Sequence, residues 1–162
     1  MGQSLGAAMI RLFLFAFGLI CATVLIHALG TWETIANLGR VWPKKKSNQG
    51  LLAIEHLVIR MVCFLLMLHF IEAGIWAGFY RISGVIPEFE TAIYFSITSY
   101  TTVGYGDVVL TPPWRLLGPI EAAVGILMFG WSTAIIVATI TRIQRDRLAN
   151  KSEAEGSEKG PH

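Results

Sequence analysis

Charged residues are scarce in this chain: they make up 15% of its 162 residues, whereas hydrophobic residues make up 54%. Soluble domains carry roughly a quarter of charged residues, so the composition argues against an ordinary soluble protein. The net charge of +2 gives no indication of a nucleic-acid partner. The sequence also lacks a phosphate-binding loop, a Ser/His/Asp pattern and a cluster with metal-ligand spacing. We therefore expect neither an enzyme nor a bound cofactor.

Cysteine is almost absent as well. The chain contains Cys21 and Cys63, and both lie inside apolar runs. Two isolated cysteines provide neither a disulfide framework nor a zinc site. We therefore expect both to act as small packing residues.

Long apolar runs dominate the sequence instead. Residues 12–32 and 122–141 contain no charged residue, and residues 61–80 contain a single one, Glu72. Each run approaches the roughly 20 residues that a helix needs to cross about 30 Å of hydrocarbon. The first run is too long for a signal peptide and lacks a basic start, which favours a retained helix. The sequence predicts an all-α membrane protein with three transmembrane helices, near residues 8–31, 52–81 and 115–141.

Basic residues are unevenly distributed between the predicted connections. Ten of the 13 Lys and Arg residues fall on one side, and only Arg11, Arg81 and Arg115 fall on the other. The positive-inside rule then predicts an N-terminus outside, a cytoplasmic tail, and a multi-pass location in the plasma (cell inner) membrane. The first connector contains a basic cluster of Arg40, Lys44, Lys45 and Lys46. This cluster either contacts anionic lipid or only controls topology, and we favour topology control.

The section between the second and third apolar runs has its own pattern. Pro87, Glu88 and Glu90 suit the start of a helix, and the sequence predicts a short helix over Phe89–Ser99 that cannot span a membrane. Glycines then break the helix. Non-helical backbone at membrane depth is tolerated only where protein buries it or where it lines a watery cavity. The section therefore predicts a re-entrant loop that forms a pore or a binding cavity.

The predicted organisation has three parts. Residues 1–50 form the first transmembrane helix and a basic cytoplasmic connector, and residues 51–142 form a pore domain. Residues 143–162 form a disordered cytoplasmic tail, because the sequence from Asn150 onward is polar and poor in apolar residues.

The loop after the short helix reads Thr102-Val103-Gly104-Tyr105-Gly106, followed by Asp107. This stretch resembles the selectivity filter of tetrameric potassium channels, for which the same motif is the established example of ion selectivity by backbone carbonyls. The resemblance covers roughly residues 60–142 and includes the order of outer helix, pore helix, filter and inner helix. It implies a small homotetrameric channel of the bacterial type, with one additional N-terminal helix.

The resemblance also implies a role for each residue of the loop. Backbone carbonyls of Thr102, Val103, Gly104 and Tyr105 from four chains would bind dehydrated K⁺, and Gly104 and Gly106 would permit the unusual backbone angles that this needs. The side chains of Val103 and Tyr105 would point away from the pore axis. K⁺ would be the transported species, moving passively down its gradient. Thr101 and Asp107 would support the filter from its two ends.

The residues behind the filter depart from the family pattern. Many members carry two tryptophans where this chain has Tyr94 and Phe95, and some carry a glutamate where it has Thr98. The support of Asp107 and the rigidity of the filter are therefore expected to differ. A weakly selective cation channel is one alternative, and a non-conducting regulatory membrane subunit is another.

Two glycines and two carboxylates are candidates for control of the pore. Gly125 and Gly130 in the third helix suggest either a gating hinge or ordinary close packing. Glu72 and Glu121 are intramembrane carboxylates, which are functional hypotheses by default. His69 lies three residues before Glu72 and shares its helix face. We favour satisfied structural carboxylates, in contact with Thr98, Tyr94 or a backbone amide, over a proton-sensitive brace.

The sequence lacks two common sensors. No helix carries arginine at every third position, so a voltage sensor of the usual kind is not expected. About 20 residues follow the third helix, fewer than a ligand-binding domain of ordinary size needs.

Overall fold

A computed structural model describes the backbone of residues 2–41 and 51–158, and the side chains of residues 6–36, 54–149 and 152. The described backbone is helical apart from its connections and contains no strand. The helices are α1 Gly2–Val41, α2 Leu51–Ile82, α3 Phe89–Tyr100 and α4 Leu117–Glu158, and a 3₁₀ turn over Trp114–Leu116 precedes α4.

Three of the four helices are long and apolar enough to cross a membrane, which confirms the predicted fold class. The candidate spans are Gly6–Ala36, Ile54–Ile82 and Trp114–Ala149. The fourth helix, α3, has 12 residues, so its length of about 18 Å falls short of a membrane-spanning helix. Its start at Phe89 and its end near Ser99 also agree with the sequence-based prediction.

Two helices continue beyond their apolar runs. α1 extends to Val41 and α4 extends to Glu158, whereas the sequence predicts ends near residues 31 and 141. The expectation of disorder over residues 143–162 is therefore wrong as far as Glu158. The physical reason is that this stretch is rich in Arg, Gln, Leu, Ala, Lys and Glu, which favour helix even without a buried face. The sequence-based prediction ended this helix where polar residues begin, but the helix propensity of these residues lets it continue.

The core of the chain lies where α3 packs between α2 and α4, with α1 packed against α2 and α4. The largest fully buried side chains include Trp76 and Tyr80 of α2 and Tyr100 of α3, and Leu12 of α1 joins the same buried cluster. Many apolar side chains outside this core remain exposed on the single chain. A surface of this kind suits contact with lipid or with another chain.

The two cysteines lie on that exposed surface. Both Cys21 and Cys63 are free and exposed on the single chain, so they do not pack into its core, and their role as small packing residues stays a prediction. An apolar run places a residue in a membrane helix, but only packing decides which side of the helix is covered.

Candidate functional site

The loop that follows α3 has an alternating backbone. Positive φ angles occur at Thr102 (62°), Gly104 (49°) and Gly106 (80°), and the intervening Val103 and Tyr105 are not in this region. The expectation of unusual angles at Gly104 and Gly106 is confirmed. Thr102 adds a third such position, which is uncommon for a β-branched residue and is the kind of backbone strain found at ligand-binding sites.

Backbone hydrogen bonds attach this loop to the end of α3. The Thr101 N–H donates to the Ile97 carbonyl at 3.0 Å, which is the last turn of the helix. The Thr102 N–H donates to the Ser99 carbonyl at 2.9 Å, and the Gly104 N–H donates to the Thr98 carbonyl at 3.0 Å. The loop therefore folds back on the helix end, and its own N–H groups point towards α3.

Two large side chains of the loop are exposed on the single chain. Val103 is 51% exposed and Tyr105 is 72% exposed. Both alternate with the positive-φ residues. The sequence-based hypothesis buries these two side chains in surrounding protein. Their own chain does not provide that protein.

The support of Asp107 comes from Tyr94 in α3. The Tyr94 hydroxyl donates to Asp107 Oδ2 at 2.6 Å, and Oδ1 accepts from the Val108 N–H at 3.1 Å. The hydrogen bond from Tyr94 holds the pKa of Asp107 below its usual value. This contact connects the far end of the loop to α3.

The other predicted support residues act elsewhere. The Thr98 hydroxyl donates to the carbonyls of Tyr94 and Phe95 within its own helix, so its contribution to the loop is the carbonyl that accepts from Gly104. Phe95 is buried and packs its ring edge-on against Tyr80 at 5.3 Å. The Thr101 hydroxyl likewise donates to a carbonyl of α3. Thus Tyr94 is the member of this set whose side chain reaches Asp107.

Glu72 is at the centre of a buried polar cluster that links all four helices. Its Oε1 lies 2.8 Å from His27 Nδ1 of α1, and its Oε2 lies 3.4 Å from His69 Nδ1 of α2. The Tyr100 hydroxyl, at the end of α3, also donates to Oε2. Ser132 of α4 completes the cluster, with its Oγ 3.1 Å from His69 Nε2 and 3.4 Å from His27 Nε2. All five side chains are buried.

The sequence predicts only one pair within this cluster. The pairing of His69 with Glu72 is present, whereas the partners expected from α3, Thr98 and Tyr94, are replaced by Tyr100. Sequence reasoning missed His27 and Ser132. His27 did carry a signal, because it is a titratable residue in an otherwise charge-free membrane run, but its distance of 45 residues from Glu72 hides the contact.

Glu121 has a separate set of buried partners. The Tyr80 hydroxyl donates to its Oε2 at 2.8 Å, and Ser96 Oγ lies 2.5 Å from its Oε1. Ser96 Oγ also lies 2.6 Å from the Ala73 carbonyl oxygen. Among the side chains that the structure describes, every buried nitrogen and oxygen has a hydrogen-bond partner. Both intramembrane carboxylates are therefore satisfied, as buried polar groups generally are.

The ligand atoms of His27, His69 and Glu72 lie within 4.8 Å of one another. Imidazole and carboxylate are ligands that zinc accepts. Hydrogen bonds within the cluster already satisfy each of these side chains. The arrangement thus works as a hydrogen-bonded link between helices without an ion.

The two glycines of α4 have different surroundings. A Cβ atom at Gly125 would lie 1.9 Å from the Tyr100 carbonyl oxygen, whereas a Cβ atom at Gly130 would meet nothing within 4 Å. Gly125 therefore permits α4 to approach the end of α3 backbone to backbone. α4 is continuous through both positions, so the hinge hypothesis stays a prediction for each.

Known proteins resemble the second half of this chain. Residues 64–142 match the family model described as an ion channel. The chain is also similar to the potassium voltage-gated channel protein shk-1 of Caenorhabditis elegans, with 30% identity over 111 residues. This stretch is 66% of the chain and 20% of the relative, so the chain spans about a fifth of that relative's length. No solved structure matches the chain significantly.

The match includes most of α2, all of α3, the alternating loop and the apolar part of α4. Residues 64–142 are therefore similar to the pore segment of ion channels, and the potassium channel relative points to the same family. With its three candidate spans, the chain is a multi-pass membrane protein that carries the pore segment of an ion channel. The matched model points to an ion channel rather than to an enzyme. α1 lies outside the matched segment of the family, although its His27 is part of the cluster behind the loop.

Proposed function

We propose that this protein is a homotetrameric potassium-selective channel that conducts K⁺ passively across the plasma membrane. The observation that carries the proposal is the backbone of the loop, where positive φ at Thr102, Gly104 and Gly106 alternates with ordinary φ. An alternation of this kind would turn successive carbonyls towards one side of the chain. A dehydrated K⁺ needs such a row of oxygens in place of its water.

The loop of one chain provides one side of an ion cage, so closure requires other copies. Val103 and Tyr105 are exposed on the single chain, and four copies around an axis would cover them while their carbonyls face the ion. The end of α3 at Tyr100 would direct its negative dipole towards the cavity below the filter and favour a cation there. Tyr94 would brace Asp107 in the position where other family members use different residues.

Orientation is part of the same proposal. The distribution of Lys and Arg favours an N-terminus outside and a cytoplasmic C-terminus. The basic cluster would then face the anionic inner leaflet. Its members Lys44, Lys45 and Lys46 lie outside the described residues, and Arg40 lies near the end of α1.

The experiment is K⁺ flux from liposomes that contain only the purified chain, with barium and a sodium gradient as controls. The test variant is Gly104→Asp, because φ of 49° disfavours a side chain and the new carboxylate would enter the ion path. The matched control is Gly84→Asp, since Gly84 also has positive φ (70°) but lies in the turn after α2.

Barium-blocked K⁺ flux that persists in Gly84→Asp and disappears in Gly104→Asp would support the proposal. Equal passage of Na⁺ and K⁺ would instead favour a weakly selective cation channel, which the unusual support by Tyr94 makes the principal alternative. Absence of flux from the wild-type chain across a range of pH and lipid would favour a non-conducting regulatory subunit. A molecular mass of the purified protein other than that of four chains would refute the homotetramer.

A further inference from the structure

α1 lies outside the family match, yet its His27 contacts Glu72, which accepts a hydrogen bond from Tyr100 at the end of α3. We propose that His27 of α1 is a positioning residue for the selectivity filter, acting through Glu72 on Tyr100. This inference rests on the proposed function, because it assigns a task to the additional helix within that channel. His27 touches neither the loop nor the ion path and acts only through its partners.

The first link is between α1 and α2. His27 and Glu72 are both completely buried, and His27 Nδ1 lies 2.8 Å from Glu72 Oε1. Because a carboxylate oxygen accepts hydrogen bonds, the Nδ1–H of His27 is the donor. The other ring nitrogen of His27 lies 3.4 Å from Ser132 Oγ of α4, so the imidazole is held on both sides.

The second link is between Glu72 and Tyr100. The Tyr100 hydroxyl donates to Glu72 Oε2, and the Tyr100 backbone packs against Gly125, where a Cβ atom would lie 1.9 Å from its carbonyl oxygen. Tyr100 is therefore held at its side-chain tip and at its backbone. It is also the last residue of α3, directly before the loop.

The loop depends on the position of this helix end. The Thr102 N–H and the Gly104 N–H donate to carbonyls of Ser99 and Thr98, in the final turn of α3. A displacement of Tyr100 would therefore alter the geometry of both hydrogen bonds. Without His27, Oε1 of a fully buried carboxylate would lose its partner, which is strongly unfavourable. The carboxylate would reorient to find another donor and release Tyr100.

The chain provides a matched control one helical turn away. Trp76 Nε1 of α2 donates to Thr23 Oγ1 of α1 at 3.0 Å, and both side chains are fully buried. Thr23 and Trp76 each lie four residues from a member of the first link, on the same faces of α1 and α2. Their hydrogen bond joins the same two helices but has no connection to Tyr100. Thr23→Val removes it with little change in volume.

The experiment compares His27→Leu, Tyr100→Phe and Thr23→Val in the purified chain with two measurements. The first is the K⁺-to-Na⁺ permeability ratio in liposomes. The second is amide hydrogen exchange of a peptide spanning residues 98–107, which reports the loop without requiring conduction. We expect His27→Leu and Tyr100→Phe to accelerate exchange by about three- to tenfold and to lower the permeability ratio, whereas Thr23→Val leaves both unchanged.

Two further variants separate positioning from general destabilisation. His27→Asn places an amide donor near the position of Nδ1 and should restore loop protection and selectivity at least in part. The double variant of His27→Leu with Tyr100→Phe should be no worse than the stronger single variant, because both break one chain of contacts. A fold defect would instead give additive losses and no rescue.

The two proposals fail in different ways. Absence of K⁺ flux from the wild-type chain would refute the proposed function, and the exchange measurement would still decide the role of His27. Unchanged loop exchange in His27→Leu, or the same change in Thr23→Val, would overturn the positioning role even in a conducting channel.

Discussion

Gly125→Ala is expected to disturb the contact between α4 and the end of α3. A Cβ atom at this position would lie 1.9 Å from the Tyr100 carbonyl oxygen, and real Cβ atoms essentially never come within 3.0 Å of another heavy atom. The two helices must therefore separate by about 1.1 Å, the difference between these distances. The obstacle is backbone, which cannot rotate away as a flexible side chain does.

The magnitude follows from the cost of overpacking. Inserting a methyl group into a closely packed contact typically destabilises a protein by about 1–3 kcal/mol, and the gain in helix propensity from glycine to alanine offsets about 1 kcal/mol. Gly130→Ala gains the same propensity and meets nothing within 4 Å. We therefore expect Gly130→Ala to be neutral or stabilising, and Gly125→Ala to be destabilised relative to it by about 1–3 kcal/mol.

The assay is thermal unfolding of both variants in the same detergent, followed by K⁺ flux in liposomes. The comparison between two glycines of one helix removes effects of composition and lipid. Equal stability of the two variants would refute the close approach at Gly125. If Gly125→Ala retained stability but lost flux, a hinge at that position would be the better interpretation.

Two further predictions concern the hydrogen bonds that tyrosine hydroxyls donate to Asp107 and Glu121. Because the pKa of Asp107 lies below its usual value through the hydrogen bond from Tyr94, this contact should persist above pH of about 3.9 and weaken only as pH falls through the lowered value. In K⁺ flux measured as a function of pH, Tyr94→Phe should therefore lose K⁺ selectivity at a higher pH than the wild-type chain. Loss of selectivity at the same pH in both would contradict the bracing role of Tyr94. Tyr80→Phe removes the donor to Glu121 Oε2 and should reduce stability by about 1–3 kcal/mol in thermal unfolding. An unchanged melting temperature would argue against a structural role for this hydrogen bond.

Buried hydrogen bonds explain how a chain this apolar holds two carboxylates within its helices. Glu72 and Glu121 each receive hydrogen bonds from side chains on other helices. An unpaired carboxylate at this depth would be strongly unfavourable. The two glutamates therefore specify how the helices pack, since other arrangements would leave these oxygens without donors.

The sequence could predict the elements and the loop because their signals are local. Three apolar runs gave three candidate spans, and a short helix bounded by Pro87 and the glycines appeared almost where expected. The motif placed positive φ at Gly104 and Gly106 for a steric reason that needs no tertiary context. The helix ends were less predictable: α4 continues to Glu158, because helix propensity persists where hydrophobicity stops.

By itself, the sequence determined that this is a membrane protein with a glycine-containing loop after a short helix, since hydropathy and glycine placement depend on neighbouring residues alone. Only the tertiary structure decided which side chains stand behind that loop. His27 and Ser132 lie 105 residues apart and approach to 3.4 Å, and Tyr94 rather than Thr98 reaches Asp107 with its side chain. Contacts of this kind depend on how helices rotate and pack. A single sequence does not encode that rotation in any local pattern.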